Sequence, residues 1–409
     1  MKSINQIKQD FTMLRNNPEL IYLDSGATSL TPDVVVDSMS DYYKNNRSSV
    51  HRGLYKLAMK ASSDYENARA KVASFIDCQI SEVIFTKSTT ASINNVARSL
   101  EHLIHPGDEI ITTELEHHSN YLPWLELCNR TGANLIVVKA TDLEIKTEDV
   151  FDKVNDKTKL IAIHHVSNVI GDTVDVKAIC DYANQKNIMT LIDGAQAAPH
   201  MAVSMANINP SFYTISVHKM MGPTGLGVLF INKNIEAKLN PFDFGGDMVT
   251  PSSVDIDSYD VKEASLKFEG GTPSIAEVIG LGATIDYINE IGIDNIHAHE
   301  VMLKEYAVSK FKQIEKEATL YNGNNTSGLL TFNVNGVKVH DAVSESMLSD
   351  VTFDNANIAL RDGQMCNNLT MKYVLGTPAV LRASLYIYNT HEDVDMLIEQ
   401  IKKIYKVWN

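Results

Sequence analysis

Two residues in the chain have types and positions suited to covalent chemistry on a carbonyl cofactor. Lys219 lies in Ser216-Val-His-Lys219, where an apolar run (212–217) gives way to a glycine-rich turn and a second apolar run (227–231). A lysine beside buried strands is costly unless it is paired, neutral or covalently used. Asp193, in Leu191-Ile-Asp-Gly-Ala-Gln196, ends another apolar run with a carboxylate. A lysine and an aspartate at two strand ends are what a pyridoxal phosphate (PLP) site needs: one amine for the carbonyl, one carboxylate for the pyridine nitrogen. Taken alone, the pair fits equally well a surface lysine and a helix-capping aspartate.

Other strand ends carry compatible groups. Lys87-Ser-Thr-Thr90 follows a short apolar run and opens a helical stretch, so hydroxyls and backbone amides there form a phosphate site or an ordinary cap. Glu114-Leu-Glu-His-His-Ser-Asn120 places His117 where an imidazole can stack on a flat ring. Neighbouring histidines on extended chain point to opposite faces and chelate metal poorly, so no metal site is assigned. Asn168 can reach a ring oxygen, and Ser216 and His218 a phosphate. His164 is read as core.

Apolar runs at 83–85, 109–112, 135–138, 160–164, 188–192, 212–217 and 227–231 alternate with helical patterns. Most are continuous, as in strands buried on both faces, which predicts an α/β domain with a mostly parallel sheet flanked by helices. Ligands in such sheets sit at the carboxyl ends of the strands. Helices are expected over 31–45, 58–75, 91–103 and 393–407, with one long helical stretch over 275–313 and a short amphipathic helix within 1–20. The expected division is a large PLP-binding domain at 21–274 and a small C-terminal α+β domain at 275–409, with 1–20 a candidate to pack on it.

The chain has 409 residues, 44% hydrophobic and 21% charged, which is ordinary for a two-domain globular protein. A net charge of −15 argues against nucleic acid or an anionic membrane surface as partner. No apolar run reaches the ~20 residues that span a bilayer, and the N-terminus lacks a signal-peptide core, so a cytoplasmic location is expected. The four cysteines, Cys78, Cys128, Cys180 and Cys366, have no CxxC spacing, so any active one acts as a single thiol. Cys78, Cys128 and Cys180 fall in predicted helices and read as structural.

In order along the chain stand Tyr22-Leu-Asp-Ser-Gly-Ala-Thr28, Val50-His-Arg-Gly53, Glu116-His-His-Ser-Asn120, His165-Val-Ser-Asn-Val169, Asp193-Gly-Ala-Gln196, Ser216-Val-His-Lys219, Gly222-Pro-Thr-Gly225, Phe268-Glu-Gly-Gly-Thr-Pro273, Arg382-Ala-Ser384 and Tyr388-Asn-Thr390. Through these motifs the chain resembles the class V, aspartate-aminotransferase-like PLP enzymes, and within them the SUF-type cysteine desulfurases and selenocysteine lyases. The resemblance implies Lys219 as the Schiff-base lysine, Asp193 at the pyridine nitrogen and His117 stacked on the ring. It implies Gln196 and Asn168 on the hydroxyl side, and Thr89, Thr90, Ser216 and His218 on the phosphate. Thr272 would complete that phosphate site from a second subunit of a homodimer. Arg382 and Arg361 would bind the substrate carboxylate, with Arg52 and His51 at the entrance.

The resembled desulfurases carry their nucleophile in an Arg-x-Gly-His-His-Cys pattern; here the loop reads Arg361-Asp-Gly-Gln-Met-Cys366. The cysteine is kept, both histidines are replaced, and Asp362 adds a charge that opposes thiolate formation. Residues 349–355 look like a polar addition able to reshape the active-site lid. Ser258-Tyr-Asp-Val261 stands where the family has a tryptophan segment, and His340-Asp341 keeps a pair that some relatives use to engage a sulfur acceptor. The implied activity is conversion of L-cysteine or L-selenocysteine to L-alanine, with a persulfide on Cys366 passed to an acceptor protein. A diverged lyase, epimerase or transaminase that leaves Cys366 idle is the alternative, and a non-catalytic PLP-binding partner protein the third reading.

Overall fold

The computed structural model describes residues 2–344 and 351–409. Its centre is a seven-stranded sheet in the order β2-β8-β7-β6-β5-β3-β4. β1 (Ile21–Tyr22) precedes it; the sheet comprises β2 (Val83–Thr86), β3 (Glu109–Thr113), β4 (Asn134–Val138), β5 (Thr158–His164), β6 (Met189–Asp193), β7 (Phe212–Ser216) and β8 (Gly227–Ile231). Every pairing is parallel except those of β8, which runs antiparallel to both β7 and β2. The continuous apolar runs are explained by burial on two faces. Ile111, Ile161, Ile163, Ile192 and Ile215 face one cluster, while Ile110, Leu160, Ala162, Leu191 and Phe212 face another. The second cluster includes residues of the helices Thr89–Leu100 and Leu122–Thr131.

A smaller antiparallel sheet, order β12-β13-β10-β9, follows from β9 (Ala318–Leu320), β10 (Leu329–Val334), β12 (Arg361–Gly363) and β13 (Val380–Ser384). It packs with the closing helix His391–Trp408 around Phe332, Leu381, Leu397 and Ile401. That helix starts at Thr390, whose hydroxyl accepts the Asp393 N–H (3.3 Å) while the Asp393 carboxylate accepts the Thr390 N–H (3.0 Å). β1 pairs in parallel with β11 (Ile358–Ala359). The N-terminal segment therefore enters the structure on the small-sheet side.

Several elements differ from the sequence expectation. The stretch 275–313 is two helices, Ile275–Ile291 and Ile293–Phe311, because Gly292 adopts φ 89°, a left-handed conformation that ends the first. The first packs against helices Lys56–Phe75 and Asp33–Asp41, Gly280 lying against Met39 and Gly282 against Ala68. Residues 1–20 hold two short helices, Ile4–Lys8 and Thr12–Asn16; Phe11 between them meets Tyr287 and Tyr388 edge-on. Cys78 lies in a turn after helix Lys56–Phe75, whereas Cys128 and Cys180 are helical and buried. Of the addition at 349–355, residues 349 and 350 lie outside the described residues. The remainder does not form a lid: Phe353 is fully buried in the small-sheet core, and the Thr352 carbonyl accepts from Gln400 (2.8 Å).

One buried ion pair fastens the sheet edge to the loop that follows it. Arg69, 1% exposed, makes a two-pronged contact with Glu269 (2.7 and 2.8 Å) and also donates to the Val83 carbonyl (2.7 Å). Glu269 in turn accepts the Phe85 N–H (2.7 Å) and the Tyr65 hydroxyl (3.2 Å). Removing Glu269 leaves the buried Arg69 with only the more exposed Glu66 (3.0 Å) as counter-charge and strips the Phe85 N–H of its acceptor. Glu269→Ala is therefore expected to lower stability by about 3–5 kcal/mol, read as a drop in the urea midpoint at unchanged m-value.

Candidate active site

The carboxyl ends of β2, β3, β5, β6 and β7 meet the β12–β13 edge of the small sheet around one cavity of about 230 Å³. Lys219, Asp193, His117, Asn168 and Gln196 line it, as do Thr89, Thr90, Ser216 and His218. Arg361, Arg382 and Cys366 line it from the small-sheet side. His51, Arg52 and Thr272 do not. His51 contacts Glu66 (3.0 Å), Arg52 pairs with Asp247, and Thr272 is exposed on the loop after Glu269. Nothing in their sequence neighbourhood tied these three to a strand end; only the resemblance did.

The local folding that aims these groups is readable. Ser88 caps helix Thr89–Leu100 by accepting the Ala91 N–H (3.1 Å), so the helix N-terminus opens onto the cavity. β8 passes this turn so closely that a Cβ on Gly227 would stand 2.5 Å from the Ser88 carbonyl carbon; only glycine fits. Lys219 sits in the single helical turn that ends β7.

The electrostatics follow from burial. Desolvation pulls the half-buried Lys219 amine down to about 8, against the opposing attraction of Asp193. Burial raises the Asp193 carboxyl, countered by the Ala195 N–H (3.0 Å) and by Lys219. His117 is pushed to about 3, first by burial and then by the positive charges of Lys219, so its imidazole is neutral. Its Nδ1 accepts the Ser119 N–H (3.1 Å), which places the ring proton on Nε2. Burial likewise lowers His218 to about 4 and Arg382 to about 10, leaving the guanidinium charged at neutral pH.

Around the cavity several enclosed polar atoms have no partner: Thr89 Oγ1, Asn168 Oδ1, Gln196 Oε1 and Arg382 Nε. Buried polar atoms are rarely left so, and a cluster of them facing one space calls for a polar ligand. Hydroxyls and free amides at a helix N-terminus fit a phosphate, Asp193 fits a protonated ring nitrogen, and Lys219 fits a carbonyl carbon. The donor set fits PLP.

The cysteine loop is bolted to the large sheet, mostly through its backbone. Asn168 Nδ2 donates to the Met365 carbonyl (2.8 Å) and the His118 N–H to the Cys366 carbonyl (2.8 Å). Asn367 donates to the Leu115 carbonyl (2.8 Å), and the Asn368 N–H to His118 Nε2 (3.2 Å). Met365 and Cys366 both take left-handed backbone, φ 53° and 52°. The replacements at the two histidine positions have opposite fates: Gln364 is exposed and Met365 is buried as an apolar anchor. Cys366 is exposed and still has imidazoles beside it, from His117 and His118, with which it borders an outer cleft of about 700 Å³. Asp362 faces His340 at 3.8 Å. Ser88 falls within the expected Lys87–Thr90 cap; Ser119 and Asn367 carried no expected role, and His164 was set aside as core although it lines the cavity. Pairing β5 with β6, which places His164 beside Asp193, was the signal that could have found it.

The aminotransferase class-V family model matches residues 21–397. A curated relative named "Probable cysteine desulfurase" from Halalkalibacterium halodurans is 42% identical over 405 residues, covering 98% of this chain and 97% of that protein. Among solved structures, the apo cysteine desulfurase of Thermococcus onnurineus NA1 superposes with a TM-score of 0.92 at 35% identity, covering 99% of each chain. The Escherichia coli cysteine desulfurase CsdA, solved as its S-sulfonic acid form, gives 0.89 at 30% identity over the full length of both.

Because an amine reacts with a carbonyl only when neutral, capture of added pyridoxal by the cofactor-free protein has a defined pH dependence. The rate is expected to rise with pH about a midpoint near 8, where Lys219 loses its proton, rather than near the ~10.4 of an ordinary lysine. Borohydride trapping and peptide mapping read that midpoint and locate the label on Lys219.

Proposed function

The chain belongs to the class-V aminotransferase family, and from that premise we infer that it is a PLP-dependent cysteine desulfurase. The observation that carries the fuller mechanism is the double exposure of Cys366, which borders both the cavity holding Lys219 and the open outer cleft. A sulfur atom bound there can be collected on one side and delivered on the other.

Thr89, Thr90, Ser216 and His218 would hold the PLP phosphate, Asn168 and Gln196 its hydroxyl side, and Asp193 its ring nitrogen. The cofactor, when bound, supplies an electron sink for the bonds that break at the substrate carbons. Arg361 and Arg382 are register partners on β12 and β13 and both line the cavity, where they would bind the carboxylate of L-cysteine or L-selenocysteine. Lys219, with a proton affinity near neutrality, removes the proton from Cα at Nζ and returns one as the product forms. His117, neutral with its proton on Nε2, presents an N–H toward the substrate sulfur. The Cys366 thiolate attacks that sulfur: an S–S bond forms, the substrate Cβ–S bond breaks, and its electron pair stays with the carbon fragment, which is protonated to L-alanine. The persulfide left on Cys366 passes to an acceptor thiol, in the setting of iron–sulfur cluster assembly.

Two features support a homodimer. Thr272 stands off the cavity within one chain, and a band of large apolar side chains is exposed nearby. It includes Leu54, Tyr55, Phe244, Val254, Ile256 and Tyr259, with Leu54 94% exposed. The Arg52–Asp247 pair links the two segments that carry them. Among the described residues no helix is long and apolar enough to cross a membrane, in keeping with a cytoplasmic setting.

Incubation with L-cysteine and a reductant tests the reading. Wild type is expected to release alanine and sulfide in equal amounts, and Cys366→Ser to lose both while keeping its bound-cofactor absorbance. Sulfide release undiminished in Cys366→Ser would make the protein a lyase with an idle cysteine. Lys219→Ala is expected to lower turnover by about 10²–10⁴-fold or more and to abolish borohydride trapping.

A further inference from the structure

His164 ends β5 at the cavity wall, 3% exposed, and both of its ring nitrogens face carboxylates. Nδ1 lies 2.7 Å from Glu116 Oε1 and Nε2 lies 3.6 Å from Asp172 Oδ2. Both carboxylates accept hydrogen bonds from neighbouring donors. Glu116 accepts the Thr113 hydroxyl (2.8 Å), the His164 N–H (3.1 Å) and Asn120 Nδ2 (2.6 Å), and Asp172 accepts the Ile145 N–H (2.9 Å). A neutral imidazole has one N–H, so one of its lone pairs would point at a buried anion. Only the doubly protonated ring turns an N–H toward each carboxylate, hydrogen-bonded to Glu116 and in a longer ion pair with Asp172, at a distance beyond hydrogen bonding. Burial alone would strip its proton, yet Glu116 and Asp172 outweigh burial and lift the ring to about 10.

In the parallel register of β5 and β6, His164 is the partner of Asp193, so the two side chains project from the same face into the same cavity. The charged groups acting on Asp193 are Lys219, Glu116 and His164, with the Ala195 N–H as its hydrogen-bond donor. The adjacent His165 points to the other face, where Nδ1 meets the Tyr213 hydroxyl (2.8 Å). With His164 charged, the Glu116–His164–Asp172 group carries one net negative charge. Without it, two bare carboxylates stand one strand from Asp193.

We propose that His164 is a positioning residue for the reaction: an imidazolium fixed between Glu116 and Asp172 that keeps these buried carboxylates from driving a proton onto Asp193, and so holds Asp193 as an anion toward the cofactor ring nitrogen. The proposal rests on the assignment of Asp193 to that nitrogen. It gives the site a fixed charge balance that does not vary across the physiological pH range.

Holoenzyme labelled with ¹⁵N-histidine, with the His164 signals assigned by their absence in His164→Gln, reads the charge directly. Both nitrogens are expected to stay protonated from about pH 6 to 9. Loss of a nearby positive charge raises the proton affinity of every group in the site. The pH midpoint of the bound cofactor's visible absorbance is therefore expected to move up by about one unit in His164→Gln. His164→Gln with Asp172→Asn restores the net charge of the group, and its midpoint is expected to return toward wild type, which a purely steric role would not produce. An unprotonated His164 nitrogen at neutral pH, an unmoved midpoint in His164→Gln, or no return in the double variant overturns the proposal. If His164→Gln does not fold, the double variant supplies the assignment and the nitrogen shifts of wild type decide. Asp193→Asn separates the two layers: a spectrum and titration unchanged from wild type would overturn the Asp193 assignment itself, whatever the charge on His164.

Discussion

A partly desolvated amine at the end of β7 is the constraint to which the rest of the site answers. Lys219 lies half-buried in the cavity wall, and desolvation draws its proton affinity toward neutrality. That state is useful only if a carboxylate, a cofactor and a way in for substrate are built around it. Asp193 arrives from the neighbouring strand, the helix capped by Ser88 from the far side of β8, and the arginines from the small sheet. The parallel order of β5, β6 and β7 is what makes this possible, since it delivers three strand ends, with their polar residues, to one edge.

The second constraint is the seam between the two sheets. The small sheet contributes Arg361, Arg382 and the loop to Cys366. Asn168 and His118 of the large-sheet side hold that loop by its backbone at 365 and 366, and the Asn367 side chain reaches the Leu115 carbonyl beyond it. This explains how the loop can differ from the desulfurase pattern and still present its thiol. Backbone hydrogen bonds do not depend on what residues 364 and 365 carry. Replacement of an imidazole by Met365 exchanges a polar neighbour for an apolar anchor, while His117 and His118 keep imidazoles at the mouth.

Much of this was legible in the chain because buried strands announce themselves as unbroken apolar runs, and the first polar residue after each run marks the sheet's working edge. Asp193, Lys219, His117 and the Thr89–Thr90 pair were found that way. The break at Gly292 was also written in the sequence, as a glycine between two isoleucines, but continuous hydrophobicity on either side masked it. What could not be read was anything fixed by contacts distant in the chain. The pairing of His164 with Asp172 and its register with Asp193 belong to this class, as does the clamp on Cys366. So does the burial of Phe353, which turned an apparent lid into small-sheet core. His51, Arg52 and Thr272 form a different class. They were placed by resemblance alone, and a single chain does not bring them to the cavity.

The register pairing of Arg361 with Arg382 has a geometric consequence for what the site can accept. Cys366 lies on the same short strand-and-loop segment as Arg361, so the grip on a carboxylate and the attacking sulfur belong to one rigid piece. Whatever small movement that piece makes, the span between them is conserved. On the proposed reading the segment is a ruler, set to the distance from carboxylate to side-chain chalcogen in a three-carbon amino acid. Lengthening the side chain by one methylene displaces the sulfur by roughly 1 Å or more, an error that can cost ~10²-fold in rate. On that reading, selection for cysteine over its longer homologue comes from the span between Arg361 and Cys366.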